Sequence, residues 1–178
     1  MKIRNLIPLF MFVLLIGAFA FGLTRNPQIL PSELIEKPFP NFELENLAGD
    51  TDLDARIFEG EVSIVNVFGS WCTSCVIEHP ILIEMSRSGD FQMVGVNWRD
   101  TQEDAQRWLG QYGNPYDKII FDPNSRLVVN LGVVGAPETF IVDHSGSIRY
   151  KHVGVVDADD WSNDIRPILL SLLIEAEK

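Results

Sequence analysis

Cysteine is scarce in this chain of 178 residues, which contains only Cys72 and Cys75. Two cysteines three positions apart are too few for a structural disulfide framework, because a bridge between them closes a loop too short to restrict the unfolded chain appreciably. A structural zinc site needs four ligands, and of the three histidines only His79 lies near the pair in sequence. The scarcity therefore favours redox chemistry over a structural role.

Basic residues are also in deficit, since 14 lysines and arginines stand against 25 acids for a formal net charge of −11. Nucleic-acid binding requires clustered lysine and arginine, so we expect no nucleic-acid partner. Solubility alone is a sufficient reason for the acidity. Internal repeats and low-complexity segments are absent, and the length suits one ordinary domain with a real core.

The two cysteines lie in the motif Trp71-Cys72-Thr73-Ser74-Cys75, between an apolar run of strand character at 62–68 and a helical pattern at 76–86. Unpaired N–H groups and a positive partial charge at a helix N-terminus favour thiolate over thiol. This arrangement predicts a dithiol/disulfide redox centre. Cys72, at the exposed start of the helix, is the candidate nucleophile, and Cys75 would resolve the mixed disulfide by attacking Cys72.

The N-terminal run Leu6–Leu23 has 18 residues without a charge and follows Lys2 and Arg4. That length can cross a bilayer, and the basic residues place the N-terminus in the cytoplasm. A cleaved signal peptide is the alternative, since Ala18-Phe19-Ala20 loosely fits a cleavage site, but the length of the run favours an uncleaved anchor. Either way, we expect the rest of the chain outside a bacterial cytoplasm, in the oxidising periplasm.

The sequence predicts three segments: an anchor at 1–23, a linker at 24–37 that several prolines interrupt, and a folded domain at 38–178. Alternation and helical spacing in the domain predict strands that alternate with helices, then a strand hairpin and a final helix, and hence a mixed α/β sheet with helices on both faces. The predicted elements are an edge hairpin at 41–50, strands at 62–68, 91–97, 118–121, 139–143 and 147–153, and helices at 72–86, 101–112, 125–131 and 158–177. The first helix is expected to be interrupted at Pro80 and the last to be distorted at Pro167.

The W-C-x-x-C motif after a strand, with a hairpin before the final helix, resembles thioredoxin. The stretch from Gly132 to Asp143 closely resembles the G-V-x-G-A-P-E-T-F signature of the CcmG/DsbE family, the membrane-anchored thioredoxins of cytochrome c maturation. Residues 113–116, 121–122 and 148–152 also match that family's pattern, and the resemblance covers roughly residues 38 to 175. It implies a thioredoxin-like fold and a thiol:disulfide oxidoreductase. Thr73 stands where the family usually has proline, and Val134 where an aromatic residue is common.

The resemblance also implies roles for residues around the cysteines. Pro137 is expected to follow a cis peptide bond that turns the backbone of Ala136 toward Cys72, where it can pair with an extended substrate; a rigid turn without a substrate role is the alternative. Glu78 and Glu138 are implied to be active-site acids. Negative charge near a thiol disfavours its thiolate, and a site whose reduced form lacks that stabilisation acts as a reductant. For Glu78, the alternative is an ordinary exposed surface acid.

The remaining residues near the motif have modest expected roles. Trp71 shields the site and offers an apolar surface to a partner, or simply packs against the loop. Thr73 and Ser74, between the cysteines, tune the reduction potential. His79 lacks partners as a metal ligand, and the two methionines in apolar periodic runs, Met85 and Met93, are expected in the core.

The resemblance implies a periplasmic reductant, tethered to the inner membrane by one helix, that acts on the haem-attachment cysteines of apocytochrome c. It would act on them directly or through another maturation thiol protein. An inner-membrane thiol donor would re-reduce Cys72 and Cys75, and no cofactor or metal is expected. Three alternatives are a general periplasmic disulfide reductase, a copper chaperone that uses both cysteines and a histidine, and a docking subunit without activity.

Overall fold

The computed structural model describes residues 7–23, 34–49, 51–89 and 91–177. The chain divides into two compact units, Met1–Pro31 and Ser32–Lys178. In the first unit, helix α1 (Ile7–Leu23) has 17 residues.

Two N-terminal predictions fall partly outside the described residues: residues 1–6 of the predicted anchor at 1–23, and residues 24–33 of the predicted linker. Within the described ranges, no helix is both long enough and apolar enough to cross a membrane.

The second unit is built on a six-stranded mixed sheet in the order β1-β8-β7-β4-β5-β6. Strands β4, β5 and β6 are parallel, whereas β4, β7, β8 and β1 pair antiparallel. The elements are β1 (Lys37–Pro38), β2 (Glu43–Glu45), β3 (Asp52–Asp54), a 3₁₀ turn (Ala55–Phe58), β4 (Ser63–Phe68), α2 (Thr73–Met85), β5 (Gln92–Trp98), α3 (Gln102–Tyr112), β6 (Lys118–Asp122), α4 (Arg126–Asn130), β7 (Glu138–Val142), β8 (Ser147–Val153), α5 (Ala158–Asp160), a π turn (Trp161–Ile165) and α6 (Arg166–Ala176).

The central strands carry apolar side chains on both faces, so the sheet is buried between two layers. On one face, α2, α3 and α6 pack over Ile64, Phe68 and Ile141, in a cluster that includes both cysteines. On the other face, the 3₁₀ turn and α4 pack over Val65, Val67 and Phe140. The predicted mixed sheet with helices on both faces is confirmed.

The main elements agree with the predicted ones to within a few residues, and three features differ. The predicted hairpin at 41–50 extends further, because β2 pairs with β3 in a separate small sheet and Asn46 bridges to Ile120 at the edge of β6. Lys37, assigned to the linker, belongs to β1 and pairs with Ile148. Helix α2 runs through Pro80 as one element, although an interruption was predicted there. The predicted distortion of the C-terminal helix at Pro167 is confirmed, because a π turn comes just before this proline, which has no N–H to continue the helical ladder.

Candidate active site

The two cysteines lie where β4 leads into α2. Cys72 is the N-cap of α2, in an extended conformation, and the backbone N–H of Cys75 donates to Cys72 Sγ over 3.1 Å. The pair is joined as a disulfide with Cα atoms 5.3 Å apart. In the reduced protein, the same N–H and the positive end of the helix favour a thiolate on Cys72. The separate roles of Cys72 as nucleophile and Cys75 as resolving cysteine stay predictions.

Cys72 differs from expectation in its burial. The sequence placed it at an exposed helix start, but only 4% of Cys72 and 1% of Cys75 are accessible. The reason is that the N–H of Cys72 donates to Gly69 O over 3.0 Å, which closes a tight turn, while its sulfur caps the helix. Both side chains belong to the apolar core cluster. Cys72 is slightly more accessible than Cys75, and its assignment as the nucleophile stays a prediction.

The turn before Cys72 is held by residues from the end of β5. Asp100 accepts hydrogen bonds from Ser70 N (2.6 Å) and Ser70 Oγ (2.7 Å). The indole N–H of Trp71 donates to Trp98 O over 2.8 Å, and the two rings meet edge to face at 5.5 Å. Trp71 nevertheless keeps 49% of its surface exposed. Trp71 therefore packs on the loop and also presents apolar surface, and its role toward a partner stays a prediction.

Glu78 is not a surface acid. It lies on α2, one turn beyond Cys75, and is 1% exposed. Its carboxylate accepts hydrogen bonds from Asn66 Nδ2 (2.8 Å) and from the backbone N–H of Val156 (3.0 Å). Burial raises the pKa of Glu78 to about 7, against the opposing effect of these two hydrogen bonds. The site thus contains a buried carboxyl group that can exchange a proton near neutral pH.

A buried polar network that the sequence did not predict orients Glu78. Besides its bond to Glu78, Asn66 Nδ2 donates to Thr139 Oγ1 over 3.0 Å, and Asn66 Oδ1 accepts from the hydroxyl of Tyr116 over 2.7 Å. Burial, and secondarily the charge of Glu78, raise the pKa of Tyr116 well above its ordinary value, so its hydroxyl stays a donor. An asparagine inside the apolar strand β4 was the sequence signal, because a buried amide needs partners.

Glu138 has a different environment from Glu78. Side chains alternate along β7, and its neighbour Phe140 belongs to the core cluster on the face of the sheet opposite α2. Glu138 therefore points away from the cysteine-bearing helix. Its side chain is 0% exposed; Oε2 lies 2.8 Å from Lys151 Nζ, and Oε1 accepts from Val134 N over 2.9 Å. Its charge is compensated locally, and its predicted role as a modulator of the cysteines stays a prediction.

Lys151 was not predicted from the sequence to belong to the site. Its ammonium also donates to Gly132 O over 2.9 Å and lies 5.2 Å from the ring of Phe140. Lys151 therefore contacts both ends of the loop that leads into β7, Gly132 at its start and Glu138 at its end. The sequence feature that could have indicated such a lysine is Glu138, an acid at the start of an apolar strand, because a buried carboxylate requires a cationic partner.

The loop 132–138 contains the predicted substrate-pairing residues. The peptide bond between Ala136 and Pro137 is cis, as the resemblance implies. Val67 of β4 pairs with Glu138 of β7, which places Pro137 beside the end of β4 from which the chain turns to Cys72. Ala136 packs against the cluster that contains both cysteines, and Val134 is exposed. The substrate-pairing role of Ala136 and Pro137 stays a prediction.

The other predicted residues lie as follows. Thr73 and Ser74 are exposed on the first turn of α2, and Met85 and Met93 are buried in the core, as predicted. His79 packs edge to face on Trp108, and its Nε2–H donates to Gly113 O over 2.9 Å. Burial lowers the pKa of His79. In the part of the chain that the structure describes, no three His, Cys, Asp or Glu side chains are grouped to hold a metal.

Comparison with known proteins agrees with this geometry. A family model described as Redoxin matches residues 35–165. The thiol:disulfide interchange protein DsbE of Allochromatium vinosum is 43% identical over 167 residues, which cover 93% of this chain and 92% of that protein. The DsbE of Vibrio cholerae is 42% identical over 178 residues, with 97% and 96% covered, and that of Escherichia coli is 39% identical over 170 residues, with 92% and 91% covered.

Solved structures show the same fold. The crystal structure of a putative thiol:disulfide interchange protein DsbE from Chlorobium tepidum is 27% identical, has a TM-score of 0.61, and matches over 78% of this chain and 94% of that one. A putative thioredoxin from Neisseria meningitidis, at 23% identity, has a TM-score of 0.63 over 72% of this chain and 87% of that one.

Proposed function

Because this chain belongs to the DsbE family of thiol:disulfide interchange proteins, and more broadly to the Redoxin family, we propose that it is a reductant in cytochrome c maturation. Its substrate is the C-x-x-C-H haem-attachment pair of apocytochrome c, or another maturation thiol protein that serves that pair. The observation that supports this direction of electron flow is the buried Glu78. It lies one turn beyond Cys75 on α2, and burial raises its pKa to about 7.

The chemistry is a two-step exchange. The Cys72 thiolate attacks one sulfur of the substrate disulfide; that S–S bond breaks, and the departing substrate thiolate takes up a proton. Cys75, as thiolate, then attacks Cys72 Sγ, and the bond between Cys72 and the substrate breaks. The second substrate sulfur leaves as a thiolate that takes up a proton, and the Cys72–Cys75 disulfide remains. Two electrons pass from the protein dithiol to the substrate disulfide. Cys75 must lose its proton for the second attack, and Glu78, one turn along α2 with a pKa of about 7, is suited to accept it.

Glu78 also biases the pair toward donating electrons. An ionised carboxylate one turn from Cys75 disfavours thiolates at the N-terminus of α2 and opposes the helix dipole. A strong oxidant needs a stabilised reduced form, so a site that lacks this stabilisation is the better reductant.

The proposal includes a location. The uncharged run Leu6–Leu23 after Lys2 and Arg4 supports a single-pass anchor at residues 1–23 in a bacterial inner membrane, with a linker at 24–37 and the domain at 38–178 in the periplasm. In that oxidising space the pair must be re-reduced by an inner-membrane thiol donor.

Trapping in cells tests the function. A Cys75→Ser variant cannot resolve its mixed disulfide, so the substrate stays bound to Cys72 and can be identified by mass spectrometry. We expect apocytochrome c or a maturation thiol protein as the main adduct, and no adduct in the matched Cys72→Ser variant. A broad set of unrelated secreted proteins would instead indicate general disulfide reduction and contradict the proposed substrate.

A further inference from the structure

Arg99, in the turn after β5, has an unusual backbone conformation. Its φ is +50°, in the left-handed region that glycine adopts most easily. A non-glycine residue held there costs folding free energy, and such residues cluster at functional sites. Because the sequence has arginine here rather than glycine, we looked for a function of the Arg99 side chain in its surroundings.

The backbone around Arg99 is fixed relative to the redox pair. The N–H of Arg99 donates to Asp122 O over 3.3 Å, at the end of β6. The next residue, Asp100, holds the Ser70 turn that leads into Cys72. Arg99 therefore projects from a turn that is bonded directly to the turn before the nucleophile.

The Arg99 guanidinium flanks the exposed aromatic surface next to Cys72. Its Cζ lies 5.7 Å from the centre of the Trp98 ring, and Trp98 in turn contacts Trp71 at 5.5 Å between ring centres. The indole N–H of Trp98 donates to Ser125 Oγ over 2.9 Å, which holds that ring in place. A partner docked over Trp71 would come within reach of this cation.

The charge of Arg99 is available to such a partner. Among the described residues, Arg56, Arg107 and Arg149 pair with acids, whereas Arg99, like Arg87, Arg126 and Arg166, has no carboxylate within ion-pair distance. Of these four arginines, Arg99 is the one that adjoins Asp100, which holds the Ser70 turn before Cys72. The adjacent Asp100 carboxylate is already occupied by donors from Ser70, Asn97 and Thr101. A guanidinium free of such pairing binds a carboxylate through two parallel hydrogen bonds.

We propose that Arg99 is a specificity-determining residue, which pairs with an aspartate or glutamate beside the cysteine that Cys72 attacks. The partner is thus a disulfide-bearing polypeptide with a carboxylate next to its reactive sulfur. This inference rests on the proposed function and adds a chemical requirement for the substrate. Position and charge complementarity support it, because Arg99 has no ion pair among the described residues and lies beside the Trp98 ring, which contacts the exposed Trp71 next to Cys72.

A pair of peptides tests the inference. Two synthetic peptides with the same internal disulfide differ only in a glutamate or an isosteric glutamine next to one cysteine. The dithiol form of the full-length protein, in detergent, is mixed with each peptide at low ionic strength, and the two rate constants of reduction are measured. We expect the glutamate peptide to react about two- to fivefold faster, the range of an exposed ion pair, and the preference to shrink at high salt.

Variants assign the preference to the side chain. Arg99→Gln and Arg99→Gly should bring the ratio of the two rates to about one, and the glycine variant also removes the left-handed strain, which separates the guanidinium from the backbone. Arg99→Lys should keep part of the preference. Arg87→Gln removes an equal charge after the far end of α2 and should leave the ratio as in the parent.

A ratio of one in the parent protein, or a preference that survives in Arg99→Gln and Arg99→Gly, overturns the role of Arg99 while the exchange reaction itself stands. Failure to reduce either peptide overturns the proposed function and this inference with it.

Discussion

Lys151 Nζ lies 2.8 Å from Glu138 Oε2 on the face of the sheet opposite α2, where both side chains are largely withdrawn from solvent. The family resemblance implies the same role for Glu78 and Glu138, but the ion pair gives Glu138 different surroundings from Glu78. Glu138 is paired with the half-buried Lys151 and bonds the loop before β7 through Val134 N. Among the described residues, Glu78 accepts hydrogen bonds only from neutral donors. Substitutions of the two acids and of Lys151 should therefore have different effects.

Removing the cation should destabilise the fold. Lys151→Met leaves the Glu138 carboxylate buried without its partner, and breaking a buried ion pair in this way costs about 3–5 kcal/mol. The free energy of unfolding from urea denaturation measures the loss. Glu138→Gln combined with Lys151→Met should recover much of it, because no charge is then left unpaired. As a control, Arg107→Met, in an exposed ion pair with Glu103, should change stability by less than about 1 kcal/mol. Equal losses at the two sites would contradict this account.

The two acids should differ in their influence on the thiols. Glu78→Gln removes a carboxyl group near Cys75 and should lower the pKa of the Cys72 thiol and make the pair more oxidising. Glu138→Gln should do so to a smaller extent, since its charge is paired on the other face of the sheet. Thiolate absorbance against pH, together with equilibration against glutathione, gives both quantities. A thiol pKa that is unmoved or raised in both variants would show the electrostatic account to be wrong.

Glu78 should make stability depend on pH. Burial raises the pKa of Glu78 from its ordinary 4.5 to about 7, so between these values the unfolded chain ionises while the folded protein stays protonated. The resulting stabilisation is fully present below about pH 4.5 and is lost as the pH rises through about 7. Its full size is on the order of 3 kcal/mol.

Unfolding of the oxidised protein in urea across that window checks the sign and size. Glu78→Gln cannot ionise, so the difference in unfolding free energy between parent and variant should fall with rising pH and level off above about 7. A difference that stays constant from acid to alkaline pH would exclude Glu78 as the group responsible.

Thr73 offers a test of the departure from the family pattern. It is the first residue of α2, and Cys72 before it is extended (φ −89°, ψ 102°), the conformation that proline requires of its predecessor. Because proline is favoured at a helix's first position, Thr73→Pro should stabilise the oxidised protein by about 0.4–1 kcal/mol. Thr73→Ala should give no such gain. Loss of stability in the proline variant would mean that the N–H of Thr73 has an essential partner.

Local patterns in the sequence were sufficient for most of the sheet and for the redox pair. The alternation in β7 and β8 and the apolar runs of β4 and β5 are contained in a few consecutive residues, as is the C-x-x-C spacing. The family resemblance added the cis bond before Pro137, which the structure contains.

What the sequence did not predict depends on contacts between distant residues. Lys151 meets Glu138 only through the register of β7 and β8, and Tyr116 meets Asn66 across 50 positions. The face on which Glu138 lies follows from strand alternation relative to α2, which the motif around Pro137 does not contain. The burial of Cys72 likewise results from a turn closed by a single backbone hydrogen bond to Gly69.

The direction of electron flow tests the central claim most directly. The dithiol form of the protein is mixed with an oxidised peptide that carries C-x-x-C-H, the reaction is stopped with acid, and mass spectrometry gives the redox state of both molecules at equilibrium. We predict that the peptide becomes a dithiol while an equal amount of protein acquires the Cys72–Cys75 disulfide, and that Cys72→Ser is inert. A peptide that stays oxidised beside a protein that stays reduced would contradict the account.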